Sequence, residues 1–425
     1  MKKRAFVLTV LAAAGSASVA QMAPSNSIQL YGIVDAGIQH VTGYRQGSDT
    51  ALVSGIMDGS RFGLRGNEDL GGGYRAIFTL ENRTELNNGS GSNRPPSGTQ
   101  LPDRMSFASL MFPTLSPALQ AALQPAVTAV GTNLATQAYG VNLGNNFWDR
   151  QAYVGLITPF GAVLGGRQYT PAYEVSAAFD TLATQSSLGA GQVASFPSAV
   201  EIRISNALQY RIQLGGLSAS LMYGFGGVTG DSSASRFMGG NAIYRGAGFA
   251  VGASYNARNN ELGQEALRSA VLGASVDLGP GTLSGMYQSF EDDNPSGLSA
   301  IASGLIAQGA PAASAALVQN GFIEALRIDG KLSHIGYKMT ADRNTFYIAY
   351  SQYNDGRPAN ADVASYGVAY TYALSKRTDL NAVLTHFDNK NLAQAAPGQA
   401  GFLGGVTATA GKDADSLAFG IRHRF

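Results

Sequence analysis

Apolar and polar side chains alternate along most of the chain, most clearly between Gly59 and Glu81. Two runs in this stretch carry an apolar residue at every second position, Phe62 and Leu64 in the first and Phe78 and Leu80 in the second. The alternating positions hold Arg61, Arg65, Arg75 and Glu81, and Gly71–Gly73 separates the runs. This pattern predicts a β-hairpin with one apolar face and one charged face. A strand pair between lipid and a water-filled lumen accommodates both faces.

Similar runs continue to the end of the chain. They cover residues 28–39, 147–157, 162–169, 200–213, 217–226, 235–246, 248–258, 266–278, 281–291, 322–339, 344–353, 362–374, 378–387 and 413–425. In the first of them, Ile28, Leu30 and Ile38 share one face, whereas Asp35 and Gln39 share the other. With the hairpin, the runs make about sixteen strands, an even number as membrane barrels of this type have.

The connections between these strands differ in length. Short turns, such as 340–343 and 375–377, alternate with longer stretches, such as 40–58 and 388–412. This asymmetry predicts an all-β fold, a sixteen-stranded antiparallel transmembrane β-barrel with short periplasmic turns and long extracellular loops. The final run ends at Phe425 and is expected to pair with 28–39, which closes the barrel. Read alone, that run also fits a core strand of a soluble protein.

Two long, weakly charged insertions interrupt the strand rhythm, at 87–145 and 292–320. Residues 105–141 are rich in Ala and Leu with three interspersed prolines, a composition that predicts short helices. Residues 300–317 are also rich in Ala. We expect plain surface insertions. A plug or lid over the barrel mouth is the alternative, and the residues do not decide the role of either segment.

The composition agrees with strands that cross a membrane. Charged residues make up 13% of the chain, against about 25% in typical soluble proteins, and 54 residues are glycine. After the first twenty residues, no uninterrupted apolar run reaches the roughly 18 to 20 residues of a transmembrane helix. Apolar residues are plentiful but dispersed, as alternating strands require.

The first twenty residues have the pattern of an export signal. Lys2, Lys3 and Arg4 precede an apolar segment, and Ser18-Val19-Ala20 forms a small-x-small cleavage site. Residues 1–20 are therefore predicted to be a signal peptide, and 21–425 the transmembrane barrel domain. Removal of the three cations changes the formal charge from +1 to −2, because 29 basic residues become 26 against 28 acidic ones. Neither value indicates a nucleic-acid partner.

The sequence contains no pattern of catalytic or cofactor-binding residues. Without cysteine there is no disulfide framework, thiolate metal site or cysteine nucleophile. The four histidines, His40, His334, His386 and His423, do not have the spacing of metal ligands. Serine-hydrolase and nucleotide-binding motifs are also missing. We expect no enzyme activity, no cofactor and no metal.

Several motifs together resemble the Gram-negative general porins of the outer membrane. They are Leu30-Tyr31-Gly32-Ile33-Val34-Asp35-Ala36-Gly37, the stretch 59–73, Arg150-Gln151-Ala152-Tyr153-Val154-Gly155-Leu156, Gly166-Arg167-Gln168-Tyr169-Thr170-Pro171 and Arg422-His423-Arg424-Phe425. The matches lie in order from one end of the chain to the other. The resemblance implies a homotrimer of sixteen-stranded barrels in outer-membrane lipid and lipopolysaccharide, each passing ions and small hydrophilic solutes by diffusion.

The resemblance also implies that the third extracellular loop folds inward and narrows the pore. Here that constriction loop is 170–199, and its acidic residues Glu174 and Asp180 are expected to face a basic wall. By alternation, the candidates for the wall are Arg61, Arg83, Arg167 and Arg203, with Arg167 opposite a lipid-facing Leu164.

Arg65, Arg75, Glu68 and Asp69 lie close to the Gly71–Gly73 turn and are expected to form rim or structural contacts. The chain departs from the family pattern at Gln209, where relatives often carry a cation. The sign of the ion selectivity therefore stays open.

The predicted function is a water-filled outer-membrane pore for passive diffusion. A substrate-specific channel, with Tyr169 and Tyr173 forming part of a binding track, is the alternative. An outer-membrane barrel enzyme is a further alternative, but no exterior Ser/His pair stands out for it.

Overall fold

The computed structural model describes residues 26–194, 198–400 and 404–425. The predicted signal peptide lies outside the described residues. The strands are β1 (Asn26–Tyr44), β2 (Gly47–Ser54), β3 (Arg61–Gly71), β4 (Tyr74–Arg83), β5 (Gln151–Thr158), β6 (Gly161–Tyr169), β7 (Arg203–Leu214), β8 (Leu217–Gly224), β9 (Phe237–Gly246), β10 (Phe249–Asn259), β11 (Glu265–Leu278), β12 (Gly281–Asp292), β13 (Ile328–Ala341), β14 (Asn344–Asp355), β15 (Val363–Ala373), β16 (Thr378–Asn389), β17 (Ala395–Ala396), β18 (Gly405–Val406) and β19 (Ala414–Arg424). The helices are α1 (Asp103–Ser106), α2 (Ala108–Met111), α3 (Pro117–Ala138), α4 (Pro171–Phe179), α5 (Ile301–Ala307) and α6 (Ala312–Leu326), with a 3₁₀ turn at Ala190–Gln192.

Sixteen strands, β1, β3 to β16 and β19, form one closed antiparallel barrel. Each pairs with its neighbours in the chain, and β19 pairs with β1 to complete the ring. Closure continues to the last residue, because Gly32 and Phe425 exchange two backbone hydrogen bonds of 3.1 Å. The predicted sixteen-stranded barrel is confirmed. Within the described residues, each of these sixteen strands is paired on both sides, as a strand in lipid requires.

The alternating side chains face as predicted on the first strand. Ile28, Leu30 and Ile38 are exposed on the outside, whereas Asp35 and Gln39 are buried on the inside. The outer row continues on β19, where Leu417 and several later apolar residues are exposed. A strand with an apolar outer row and a polar inner row fits between lipid and a lumen.

The predicted facing of β6 is wrong. Leu164 is 2% exposed and packs with Ile157 and Ala162 on the inside, whereas its neighbour Val163 is 42% exposed on the outside. The pairing with β5 determines which residues of β6 face outward, because Val163 lies opposite the exposed Leu156. The prediction assigned Leu164 to the outer face because it is apolar, but Leu164 is an apolar residue on the inner face.

The two ends of the barrel differ as predicted. At one end every connection between consecutive barrel strands is a short turn, such as Gly72 and Gly73 between β3 and β4. At the other end are eight connections, named here L1 to L8. They cover 45–60, 84–150, 170–202, 225–236, 260–264, 293–327, 356–362 and 390–413.

L1 contains a strand that the sequence pattern did not predict. Along β1, residues 26–33 pair with β3 and residues 36–44 pair with β2, so β2 lies in line with β3. Between these strands the chain turns inward, where the Asp35 carboxylate accepts hydrogen bonds from the amides of Ile56, Met57 and Asp58 at 2.7–3.0 Å. The turn places Asp58 on the inner side of the wall.

The Ala-rich insertions are helical. Ser116 caps the 22-residue α3, with its side chain accepting from the Leu119 amide, and Pro117 begins the helix. Contrary to the expectation of short helices between prolines, α3 continues through Pro125. Helix α6 extends to Leu326, so β13 begins at Ile328 and not at 322. Within the described residues, no helix is both long enough and apolar enough to cross a membrane.

Candidate functional site

L3 leaves the wall after β6 and enters the barrel as a helix. The Thr170 side chain accepts a 3.2 Å hydrogen bond from the Tyr173 amide, and Pro171 occupies the first turn of α4. A threonine cap followed by proline is a strong signal for a helix start. The helix therefore begins at the point where the chain turns into the lumen.

Helix α4 packs on the inner wall through Phe179. This side chain is fully buried and lies against two glycines, Gly252 on β10 and Gly273 on β11. A Cβ added at Gly252 would lie 2.7 Å from the Phe179 ring, and one at Gly273 would lie 2.2 Å from it. The glycines are thus required for the close approach of L3 to the wall.

Polar contacts hold L3 to the wall over a wide arc. Ser176 donates to the Gln288 side chain on β12 at 3.1 Å, and the Thr181 amide donates to His334 Nε2 on β13 at 3.1 Å. Further along the loop, the Ser187 and Thr385 hydroxyls are 2.9 Å apart. L3 therefore crosses the lumen, as predicted for an inward-folded third loop.

Both acidic residues of L3 are turned away from open solvent. Glu174, 6% exposed, forms an ion pair with Arg211 on β7 and accepts from Asn241 on β9 at 2.8 Å. Asp180, 5% exposed, accepts from the amides of Leu182 and Ala190 at 2.8 and 2.6 Å. Glu174 thus fixes the loop to the wall, and Asp180 fixes the fold of the loop itself.

Two of the predicted basic residues, Arg61 and Arg83, lie side by side on β3 and β4. Both are buried and paired. Arg61 is 3.0 Å from Asp58, and Arg83 is 3.3 Å from both Asp149 and Glu85. Buried guanidinium groups with carboxylate partners contribute little net charge to the lumen, and removal of one partner would leave an uncompensated buried charge.

Arg203 lies beside L3 and has a different environment. It is half-buried, its Nη2 donates to Tyr169 Oη at 3.2 Å, and its guanidinium is 4.7 Å from the centre of that ring. Tyr169 stacks on Tyr173 of α4 with ring centres 5.1 Å apart. Arg150 also donates to Tyr169 Oη, at 3.3 Å, and pairs with Glu81 at 2.8 Å.

The structure corrects the predicted orientation of Arg167. Arg167 is opposite Ala152, which is opposite Leu80 and so belongs to the outward row of the hairpin. Paired antiparallel residues share a face of the sheet. Arg167 therefore lies on the outer side near the loop end, where it donates to the Asp149 carbonyl and to Ser205 Oγ at 2.5 and 2.8 Å. The prediction failed because it took Leu164 as facing lipid.

A second charged cluster lies where the barrel closes. Arg422 contacts Asp58 at 2.5 Å and Asp379 at 3.0 Å, and Arg424 contacts Asp379 at 2.8 Å. Lys338 on β13 lies on the same inner face as His334, and its Nζ is 5.6 Å from the centre of the Tyr347 ring. Asp58 connects this cluster to Arg61.

The residues predicted for the rim lie around the Gly71–Gly73 turn. Arg65 is exposed and stacks on Tyr31 at 3.8 Å, and Arg75 lies opposite Asp69. The Asp69 side chain accepts from the Gly71 amide at 2.9 Å, and Glu68 is exposed. Within the described part of the chain no ion pair joins these four residues, so their contacts are with a ring and the turn.

Sequence reasoning did not select Arg150, Arg211, Arg422 or Arg424 as wall residues. Alternation contains the signal for most of them, since Arg211 is in phase with the inward Gln209, and Arg422 and Arg424 alternate with the outward Ile421. Gln209 is fully buried and accepts from Arg211 Nε at 2.8 Å. The cation missing at Gln209 is thus present two residues later. The described residues contain no group of His, Asp and Glu side chains suited to a metal ion.

Known proteins resemble this chain over its full length. The family model described as Gram-negative porin matches residues 7–392. Outer membrane porin protein 32 of Delftia acidovorans is 26% identical, with both chains fully covered. An outer membrane porin protein of Bordetella pertussis is 36% identical over 104 residues, 21% of this chain and 26% of that protein.

Solved structures show the same fold. The anion-selective porin from Comamonas acidovorans superposes with a TM-score of 0.65 at 22% identity, covering 94% of this chain and 100% of that one. The trimer form of OmpT, an outer membrane protein of Vibrio cholerae, gives 0.56 at 12% identity, with coverage of 94% and 100%. Together with the barrel, its inward third loop and the family match, these likenesses show that the chain belongs to the Gram-negative porins of the outer membrane.

Proposed function

We propose that the chain assembles as a homotrimer in outer-membrane lipid and lipopolysaccharide. Each barrel passes ions and small hydrophilic solutes passively, with a weak preference for anions. The observation that carries the anion preference is the balance of paired and unpaired charge around L3. The trimer is supported by the family and by the trimeric form of one structural neighbour.

Most carboxylates near the constriction are neutralised by arginine partners, whereas Asp180 and Asp35 accept hydrogen bonds from backbone amides. Glu81, Glu174, Asp58 and Asp379 each form an ion pair with an arginine of the wall. Among the described residues, Arg203 and Lys338 contact aromatic rings and have no ion-pair partner. An excess of cationic groups in a narrow lumen raises the local concentration of anions. The anion selectivity named for the Comamonas porin is consistent with this proposal.

The proposed constriction therefore differs from a simple opposition of acidic loop and basic wall. Glu174 and Asp180 shape L3, and Arg61 and Arg83 are held in ion pairs of the wall. Arg203 on β7 and Lys338 on β13 supply the field that solutes meet. The proposal gives the chain no catalytic role, cofactor or metal, and it treats residues 1–20 as a signal removed before Gln21.

A substrate-specific channel would need an accessible binding track. Tyr169 and Tyr173 stack as a pair, but both rings are almost completely buried between the wall and L3. A passing solute therefore meets the guanidinium of Arg203 and not these rings. Conductance block that saturates with a single class of solute would favour the specific channel instead.

The test is the reversal potential of the purified trimer in a planar bilayer under a KCl gradient. The wild type should open in steps, grouped in threes, and show a reversal potential of anion-preferring sign. The double variant Arg203→Ala with Lys338→Ala should shift it toward cations. As a matched control, Lys376→Ala with Arg377→Ala removes the same charge from an exposed periplasmic turn and should leave it unchanged. A protein that inserts without conducting, or a double variant that does not shift, would overturn the proposal.

A further inference from the structure

The two helical loops leave the barrel at opposite points. L2 joins β4 to β5, and L6 joins β12 to β13. One arc between them contains β5 to β12, and the other contains β13 to β16, β19, β1, β3 and β4. Each arc has eight strands. L2 and L6 therefore arise half a ring apart.

Despite this separation, the helices of the two loops pack together. Their shared apolar cluster contains Ala108, Leu123 and Val127 from L2 and Leu305, Ala315, Val318 and Phe322 from L6. The two loops approach closely at Gly321, where an added Cβ would lie 2.5 Å from Phe112 Cζ. Helices α1 to α3 with α5 and α6 thus form one body, named here the cap.

Contacts of L2 connect the cap to L8, and L8 contacts L3. From L2, Asn93 donates to the Gln399 side chain at 3.2 Å, and Tyr139 Oη donates to the Gly404 carbonyl at 2.7 Å. Both acceptors belong to L8. The Gln399 carbonyl in turn accepts from Gln192 of L3 at 2.7 Å. Hydrogen bonds therefore connect the L2 segments that flank the cap helices, through L8, to L3 in the lumen.

The cap has the dimensions to restrict the mouth. Sixteen strands spaced about 4.8 Å apart and tilted by about 40° make a ring about 30 Å across. The 22 residues of α3 give a helix about 33 Å long, at about 1.5 Å per residue. One helix of the cap is thus as long as the ring is wide.

The cap carries almost no charge. Residues 105–148 and 294–323 contain no Asp, Glu, Lys, Arg or His. A body with so few charges adds little electrostatic barrier to passing ions, so its effect on permeation is mainly steric. We propose that the cap is an extracellular size filter, which excludes bulky hydrophilic molecules while the charged level beneath it sets ion preference. The proposal rests on the pore function given above.

The test uses polymer exclusion, in which polyethylene glycols of graded mass are added to one side of a bilayer holding the trimer. A polymer that enters the pore lowers its conductance, so the largest active polymer measures the entrance on that side. In a variant with residues 105–138 replaced by a short Gly-Ser linker, the extracellular cut-off should shift to larger polymers. The periplasmic cut-off should stay unchanged and serves as an internal control.

A point variant tests the packing of α6 on Phe112 without a deletion. Gly321→Phe forces α6 away from Phe112 and should raise the extracellular cut-off, whereas Gly304→Phe, on α5 with open space around the site, should not. An unchanged extracellular cut-off in the deletion variant overturns the size filter. If the deletion variant does not conduct, an unchanged extracellular cut-off in Gly321→Phe overturns the size filter instead. Loss of conductance in the wild type would refute the pore and not the filter.

Discussion

The constriction and the cap are built from opposite kinds of residues. Around L3, buried arginines and carboxylates alternate on the inner wall, and nearly every carboxylate has a partner. In the cap, Ala-rich helices pack through apolar side chains, and long stretches have no charge. The difference agrees with the two proposals, in which ion preference is set at the charged level and solute size is limited by the weakly charged helices of the cap.

The largest effect is expected from breaking a buried ion pair of the wall. Arg150→Ala leaves Glu81 buried without its 2.8 Å partner, and such a loss costs about 3–5 kcal/mol. Unfolding of the lipid-embedded protein in urea should show this decrease in the free energy of unfolding. The control Arg268→Ala breaks an exposed pair and should change stability by less than about 1 kcal/mol. Equal effects of the two variants would contradict a tightly paired wall.

A smaller effect is expected at the anchor of L3. His334 Nε2 accepts from the Thr181 amide, so Nδ1 carries the proton and donates to Ser351 Oγ at 2.9 Å. His334→Ala leaves both partners unsatisfied, at a cost of about 1–3 kcal/mol. Single-channel recordings should show larger current fluctuations as L3 loosens. His423→Ala, on the outer face, is the control, and equally quiet channels in both variants would argue against this anchor.

The smallest effect is expected from placing a charge in the cap. Leu119 is exposed on α3, and Leu119→Glu adds one negative charge far from L3. Salt screens interactions between exposed charges beyond about 8 Å at physiological ionic strength, so the reversal potential should change less than in Arg203→Ala. A larger change of the reversal potential in Leu119→Glu than in Arg203→Ala would mean that part of the ion selectivity arises at the mouth.

Alternation predicted the barrel because lipid and water impose opposite requirements on neighbouring side chains. It placed Ile28 and Leu30 outside and Asp35 inside without any structure. It failed at Leu164, because an inner-wall position can hold an apolar residue when another wall residue covers it. That single reversal also misplaced Arg167.

Long-range contacts explain most of what the sequence could not predict. Arg211 follows from alternation, but its pairing with Glu174 depends on the path of L3 through the lumen. The packing of Phe112 on Gly321 joins residues more than two hundred positions apart, and no local pattern indicates that the two Ala-rich segments meet. The sequence pattern also could not distinguish a surface insertion from a lid for these two segments.

The most direct test compares the reversal potentials of three proteins in one KCl gradient: the full-length trimer, the variant with 105–138 replaced, and the Arg203→Ala, Lys338→Ala variant. The account predicts the same value for the first two and a shift toward cations for the third. A shift in the cap variant with none in the double variant would contradict the separation of size and charge selection.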